Sequence, residues 1–348
     1  MKRMGRRAQY LVARNGTLLG VVGLVIVFTL LNERFLSWRN ATIIGQAIAE
    51  LGIIAIPLAL LVIAGSVDLS VGSVASMAAI IAGKVMVSTG SMLAGVVAAL
   101  GFGIAAGALN GLLVSYLNLN SIVVTLGFLA VWGGMALYIS EGQTVSGLPD
   151  SFTDLAAIKL IGVPIQIYIL AAAVILGWVA LNKLPYGRRL YAVGGNQRAA
   201  FLMGISIRRV RFLMFVGVGV AAAFGGLMLT AKLNAATPQS GQGLELDALT
   251  VVLLGGVAFA GGMGRISGVV AGLLFVGVLQ NGLVVTGTSE FLQQVFLGLT
   301  LIAAVALDDS IRQFAHRSWT EETPPPETGD GSATAGPLTP AVGARAPQ

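Results

Sequence analysis

Long apolar stretches separated by short polar segments make up most of this chain. Residues 160–182, 212–231 and 266–289 contain no Asp, Glu, Lys or Arg, and residues 85–140 form a longer uncharged block. A membrane-spanning helix needs about 20 mostly apolar residues, so each shorter stretch predicts one span. The long block predicts two spans and part of a third. The pattern therefore predicts an all-α, polytopic membrane protein.

Ten spans can be placed along the chain on this basis. The second contains Glu50 and Pro57 and is the least regular of them. A basic N-terminus, 1–15, precedes the predicted transmembrane domain, 16–310, and the tail 311–348 follows it. Six prolines after residue 319 predict that this tail is largely disordered. The predicted spans are about 16–31, 43–64, 71–87, 92–116, 120–140, 164–182, 212–231, 247–263, 266–286 and 291–307.

Composition supports a membrane protein and excludes several kinds of site. The chain is 56% hydrophobic and 10% charged, whereas a soluble globular protein carries about 25% charged residues. It has no cysteine, so disulfides and thiolate metal sites are excluded. Its single histidine, His316, lies in the predicted tail. The sequence predicts no catalytic, cofactor-binding or metal-ligating residues.

The basic residues predict the orientation of the spans. Residues 1–14 carry five Lys or Arg and no acid, and the loop 183–211 carries seven and no acid. Six predicted spans separate these segments, so both lie on the same side of the membrane. Basic loops are enriched on the cytoplasmic side. We expect a bacterial inner-membrane protein with both termini in the cytoplasm, and the excess of positive charge does not indicate nucleic-acid binding.

Two segments of the chain resemble one another. "NGLLVSYLNLNSIVVTLG" (110–127) matches "NGLVVTGTSEFLQQVFLG" (281–298) at an offset of 171. The fourth and ninth predicted spans are then counterparts that run in opposite directions, with Asn110 near the inner end and Asn281 near the outer end. This pattern indicates an inverted repeat, as in many transporters. The alternative is chance similarity between apolar segments.

A polar stretch, "IAGSVDLSVGS" (63–73), interrupts the apolar pattern between the second and third spans. Asp68 is its only acid, and an ionised carboxylate in hydrocarbon is costly. Gly65 and Gly72 allow the backbone to break, and Ser70 and Ser73 can bond freed peptide groups. The stretch predicts a break that dips into a polar interior. Asp68 could cap the third span, contact a permeating solute, or act in gating or between subunits.

A second motif, "VGGNQRAAFLMGI" (193–205), lies within the basic loop 183–211. Its Gly-Gly-Asn sequence predicts a turn, with Asn196 capping a short helix that begins at Gln197. Ala199 and Ala200 would leave a smooth face that another protein can approach, and Gly204 would end the helix.

Together these motifs resemble the ribose-type permeases of bacterial ABC importers over roughly residues 15–310. "AGSVDLSVGS" is similar to that family's Gly-x-x-Asp-Leu-Ser-x-Gly-Ser signature, and the 193–205 motif to its cytoplasmic Gly-Gly-Asn-x-x-Ala-Ala-x-x-x-Gly-Ile loop. Arg198 stands where permeases of ABC importers in general often have an acid. Phe201 stands where the ribose-type family commonly has Arg.

The resemblance implies two groups of functional residues. The first is a signature and translocation region of Gly65, Asp68, Leu69, Ser70, Gly72 and Ser73, to which the internal repeat adds Asn110 and Asn281. The second is an ATPase-coupling loop of Gly194, Gly195, Asn196, Ala199, Ala200 and Gly204.

The resemblance also implies a function and a set of partners. The chain would be the membrane subunit of an importer for a monosaccharide or related polyol, and not an enzyme. ATP would be used by a separate ATPase subunit, consistent with the absence of a phosphate-binding loop motif from the sequence. The other partners implied are membrane lipid, a periplasmic or lipid-anchored solute-binding protein, and a second permease copy or paralogue. Alternatives are an ion- or proton-coupled secondary transporter, or a related permease for nucleosides or branched-chain amino acids.

Overall fold

A computed structural model of the protein describes the backbone of residues 2–320 and the side chains of residues 16–306. Within these residues the chain is helical apart from short loops and one small hairpin. The elements are α1 (Lys2–Leu31), α2 (Trp38–Ile63), α3 (Val71–Thr89), α4 (Met92–Ser115), α5 (Ser121–Ser140), α6 (Asp150–Ala157), β1 (Lys159–Leu160), β2 (Val163–Pro164), α7 (Ile165–Asn182), α8 (Pro185–Gly195), α9 (Gln197–Leu202), α10 (Ile207–Leu233), α11 (Leu244–Leu254), α12 (Ile266–Val285) and α13 (Glu290–Thr320).

The all-α, polytopic prediction is confirmed. Seven helices are long and apolar enough to cross a membrane, namely α2, α3, α4, α5, α7, α10 and α12, and Gly16–Leu31 and Glu290–Ala306 are shorter apolar segments. Of the most apolar 18 residues, 83% are buried in α2 but only 11% in α5. Helix α2 therefore lies at the centre of the bundle and α5 at its periphery.

The eighth predicted span, 247–263, is wrong as a single membrane-spanning helix. Helix α11 has only 11 residues and so is about 16 Å long, about half of the hydrocarbon thickness. The segment that follows, 255–265, has no regular structure. Its glycines at 256, 261, 262 and 264 have positive φ, which ends the helix even though their surroundings are apolar.

The repeat extends well beyond the two matching segments. Adding 171 to the bounds of α2 gives 209–234, close to Ile207–Leu233 of α10. The same offset maps α4 onto 263–286, close to Ile266–Val285 of α12, and maps the starts of α3 and α5 to within two residues of the starts of α11 and α13. Helices α2 to α5 and α10 to α13 are therefore two structural repeats.

Glycine contacts show that the repeats are inverted. Gly107 and Gly111 of α4 lie against Phe215 and Phe212 of α10, so these two helices are antiparallel. Arg211 near the start of α10 lies beside Gly65 after α2, while Gly225 further along lies against Ile54, so α2 and α10 are antiparallel.

Helices α2 and α12 are also antiparallel. Gly52 of α2 lies against Leu273 of α12, and Ile48 lies against Gly277. The two Asn-Gly-Leu helices, α4 and α12, are therefore related by three successive reversals and run in opposite directions, as predicted.

The chain divides into two compact units, Met1–Asp308 and Asp309–Gln348. The first contains α1 to α12 and most of α13. In the second, residues 309–320 are helical, so part of the segment predicted to be disordered continues α13. The rest of the predicted tail, 321–348, lies outside the described residues.

Candidate functional site at the two helix breaks

The predicted break between the second and third spans is present over residues 64–70. Helix α2 ends at Ile63, where Gly65 adopts a φ of +78°. Asp68 is only 2% exposed, and one of its oxygens accepts hydrogen bonds from the backbone N–H (2.8 Å) and the hydroxyl (2.6 Å) of Ser70. Its other oxygen accepts from Asn110 Nδ2 of α4 at 3.0 Å.

Of the roles considered for Asp68, capping of the third span does not fit this geometry. Ser70 occupies the N-cap position of α3 and makes no side-chain capping bond, and Asp68 bonds the amide of Ser70 rather than an amide of the first turn. The carboxylate instead joins the loop to α4 through Asn110, which also donates to Ser70 Oγ at 2.8 Å. Ser73 bonds back to the Ser70 carbonyl at 2.9 Å.

The same loop is bonded to α5. The backbone N–H of Leu69 donates to Thr125 Oγ1 at 3.0 Å, and that of Val67 donates to Ser121 Oγ at 3.4 Å. An irregular segment inside a membrane is stable only if its backbone groups find partners. Helix α5 supplies two such partners and Ser73 of α3 a third, so the Asp68 loop is a built structural element of the bundle.

A second break, 234–243, lies between α10 and α11 at the position expected from the repeat. It brings the N-terminal ends of α3 and α11 together. A Cβ at Gly72 would collide with the Gly241 carbonyl and the Glu245 carboxylate, and Gly241 N donates to Ser76 Oγ at 2.9 Å. In inverted-repeat transporters, the ends of broken helices at the repeat interface form the solute site.

The two repeat asparagines do not make equivalent contacts. Asn110 is 1% exposed and binds the Asp68 loop, whereas Asn281 Oδ1 accepts from Asn40 Nδ2 of α2 at 2.8 Å. Asn40 also donates to the Phe35 carbonyl, so Asn281 braces the connection between α1 and α2. Only Asn110 therefore contacts a helix break.

The first break and the segment after α11 are linked to the predicted coupling loop through glycines. A Cβ at Gly194, near the end of α8, would collide with the Ile63 carbonyl, which accepts a 2.8 Å hydrogen bond from Gly262 N. A Cβ at Gly261 would lie 2.8 Å from Gly65 Cα. We call Gly65, Gly194, Gly261 and Gly262 the glycine joint, where α8 meets the end of α2 and the segment after α11.

The local prediction for the coupling loop is confirmed in part. Gly194 and Gly195 are not a turn but the last residues of helix α8, because neither has a positive φ, and the interruption is confined to Asn196. Helix α9 begins at Gln197, and the side chain of Asn196 accepts from Ala199 N at 3.0 Å. The helix ends at Leu202, and Gly204 has the positive φ of +77° expected after a helix end. The predicted smooth face is wrong in part because Ala200 is fully buried, although Ala199 is exposed.

Sequence reasoning missed the most exposed part of the coupling loop. Phe201, Leu202 and Met203 are 69%, 78% and 67% exposed at the end of α9. The described part of the chain leaves these three adjacent apolar side chains uncovered, which makes them a candidate contact surface. The departure from Arg at position 201 was the available signal.

Two tyrosines hold α8 against its neighbours. Tyr186 Oη donates to the Val210 carbonyl at 2.9 Å, and Tyr191 Oη donates to the Gly264 carbonyl at 2.8 Å. Burial raises the pKa of Tyr186 to about 12 and also raises the pKa of Tyr191, so both hydroxyls stay protonated and able to donate at neutral pH. Helix α8 is therefore fixed to α10 and to the segment after α11.

Sequence reasoning also missed two polar side-chain pairs of the interior. Lys232 Nζ of α10 lies 3.0 Å from both carboxylate oxygens of Glu50 in α2. Gln280 of α12 donates to Asp247 of α11 at 3.0 Å. Glu50 and Lys232 join the two repeats, and their separation of 182 residues along the chain left no local signal.

The chain is an all-α membrane protein with two inverted repeats, and each repeat contains a break, at 64–70 and at 234–243. This is the architecture of alternating-access transporters. Comparison with protein families matches residues 40–305 to the family described as "Branched-chain amino acid transport system / permease component". The chain belongs to this family of ABC-importer permease components. It is a transport subunit, and the ATPase of these systems is a separate subunit.

Several characterised relatives match over most of their length. The chain is 35% identical to the ribose import permease protein of Bacillus subtilis, covering 84% of this chain and 92% of the relative. It is 33% identical to the L-arabinose transport system permease protein of Escherichia coli K12, covering 82% and 89%. It is 30% identical to the autoinducer 2 import system permease protein of Photorhabdus temperata, covering 85% and 91%. No solved structure matches the chain.

Proposed function

We propose that this permease subunit imports a monosaccharide or related polyol across the bacterial inner membrane, with both termini in the cytoplasm. The similarity to ribose and arabinose permeases supports this cargo. A separate ATPase subunit binds the 194–204 segment and consumes ATP, and this chain binds no cofactor. A solute-binding protein docks on the outer loops, and a second permease copy or paralogue completes the pathway.

The single observation that carries the coupling mechanism is the glycine joint. Gly194 lies close to two backbone segments, the end of α2 at Ile63 and the segment after α11 at Gly262. Because no side chain lies between these backbones, a shift of α8 and α9 on ATPase closure is transmitted directly to both repeats. The two halves then expose the central site to the opposite side of the membrane.

The test is uptake by proteoliposomes that contain the permease, its ATPase and its solute-binding protein. We expect uptake of one or a few sugars from a panel that also includes autoinducer 2, and only with ATP inside. Uptake by the permease alone, driven by an ion gradient, would refute the proposal. Selective uptake of autoinducer 2 would overturn the cargo assignment but not the coupling.

Matched glycine variants test the joint itself. Gly194→Ala introduces a methyl group against the Ile63 carbonyl, whereas nothing lies within 4 Å of a Cβ at Gly195. We expect Gly194→Ala to reduce sugar uptake at least about tenfold while the complex still hydrolyses ATP, and Gly195→Ala to retain uptake. Equal uptake by the two variants would contradict the joint.

A further inference from the structure

A half-open cavity of about 720 Å³ lies between α8, the segment joining α9 to α10, and the start of α10. Its walls have two chemical characters. Arg188 and Arg189 of α8 and Arg209 of α10 form a basic side, and the exposed side chains of Met203 and Leu213 contribute apolar surface. We call it the arginine cavity.

The positive charge of the arginine cavity is not compensated locally. No carboxylate lines it, and the whole segment 183–211 contains no acid. Within the side chains that the structure describes, none of the three guanidinium groups forms an ion pair. Three arginines without a counter-charge around one cavity are suited to an anion with several oxygen acceptors, above all a phosphate.

Neighbouring side chains place the cavity at the depth of the lipid headgroups. Lys183 Nζ lies 5.3 Å from the ring centroid of Trp178 at the end of α7, directly before α8. Tryptophan and lysine mark the membrane–water interface. Leu213, 52% exposed on the spanning helix α10, directs the apolar side of the cavity towards the hydrocarbon.

We propose that the arginine cavity binds an anionic phospholipid, with its phosphate on Arg188, Arg189 and Arg209 and its acyl chains along Leu213. The apolar wall favours a lipid over a free phosphate, which would leave that wall uncovered. The bound lipid stabilises the 203–206 segment that connects the coupling helix to α10, because Met203 and Gly204 also line the cavity.

The experiment measures lipid binding to the purified full-length permease by native mass spectrometry. Phosphatidylglycerol, phosphatidylcholine with the same acyl chains, and inorganic phosphate are added separately to wild type and two variants. Arg188→Gln/Arg209→Gln removes two charges from the arginine cavity. The control, Arg198→Gln/Arg208→Gln, removes two charges from the same basic segment at positions that do not line it.

We expect phosphatidylglycerol to bind wild type at least about tenfold more tightly than phosphatidylcholine. Arg188→Gln/Arg209→Gln should weaken phosphatidylglycerol binding about 10- to 30-fold, and the control by less than about twofold. Size-exclusion profiles report whether each variant is folded, and the single variant Arg209→Gln, expected to lose several-fold, replaces the pair if the pair aggregates.

Three results would overturn the proposal. Equal weakening by the two double variants would show attraction to the basic surface as a whole. Displacement of the lipid by millimolar inorganic phosphate would assign the cavity to a free anion. Unchanged lipid binding in Arg188→Gln/Arg209→Gln, with assembly with the ATPase lost, would assign the arginines to that partner.

Discussion

At the scale of single residues, the buried carboxylate of Asp68 is stable because three hydrogen-bond donors are organised around it. Asn110 supplies a donor to one oxygen, and Ser70 supplies two donors to the other. A buried acid that is bonded this way costs far less than one left alone. The site therefore requires one acid and one amide, and exchanging the residues at positions 68 and 110 tests this requirement.

We predict that Asn110→Asp destabilises the protein and that Asp68→Asn/Asn110→Asp restores much of the loss. In the single variant two carboxylates face each other across about 3 Å in a buried site, which should lower the free energy of unfolding by an amount on the order of 3 kcal/mol. The double variant again has one acid and one amide donor. The measurement is the thermal unfolding temperature in detergent, and a double variant no more stable than the single one would contradict this account.

At the scale of elements, the coupling helix α9 is too short to be stable alone. Its six residues are held by the Asn196 cap, by the buried methyl group of Ala200 and by the turn at Gly204. This arrangement leaves Phe201 and Leu202 projecting outwards. We infer that the ATPase recognises them as apolar anchors, in place of the ion pair that an acid at position 198 would make.

We predict that Phe201→Asp reduces co-purification of the ATPase with the permease at least about tenfold. An aromatic anchor buried in a partner's groove is often worth 2 kcal/mol or more. The matched control is Ile161→Asp, which changes a side chain that is 90% exposed in the β1–β2 hairpin, between α6 and α7. Similar co-purification of the two variants would show that Phe201 is not an anchor.

At the scale of the whole molecule, the two inverted repeats meet along α2 and α10. Gly225 of α10 packs against Ile54 of α2, and the Glu50–Lys232 pair joins the two helices by charge. Lys232 remains 41% exposed while Glu50 is almost fully buried, so water screens only one partner.

We predict that Lys232→Gln destabilises the fold by up to about 3 kcal/mol, because it leaves Glu50 charged and without its cation. The half-exposed lysine places the expected loss below that of a fully buried pair. Adding Glu50→Gln should recover most of the stability, since a neutral amide is cheaper to bury. A thermal unfolding series of wild type, Lys232→Gln and Glu50→Gln/Lys232→Gln checks this, and equal stability of all three would contradict it.

The sequence alone predicted most of the fold. Apolar stretches located the seven long apolar helices and the two shorter apolar segments, because a helix that crosses lipid must be mostly apolar along its length. The Asn-Gly-Leu motif located the repeat. Asn196 and Gly204 specified a short helix between them, because caps act within one turn of the chain.

Tertiary structure alone decided the rest. Hydropathy could not show that α11 ends at Leu254, since the glycines that follow break the helix by conformation and not by polarity. Asp68 with Asn110, Glu50 with Lys232, and the glycine joint all unite residues far apart in the chain. Local patterns record the preferences of a segment for helix, turn or lipid. Which buried polar groups and which backbones meet depends on how the helices pack.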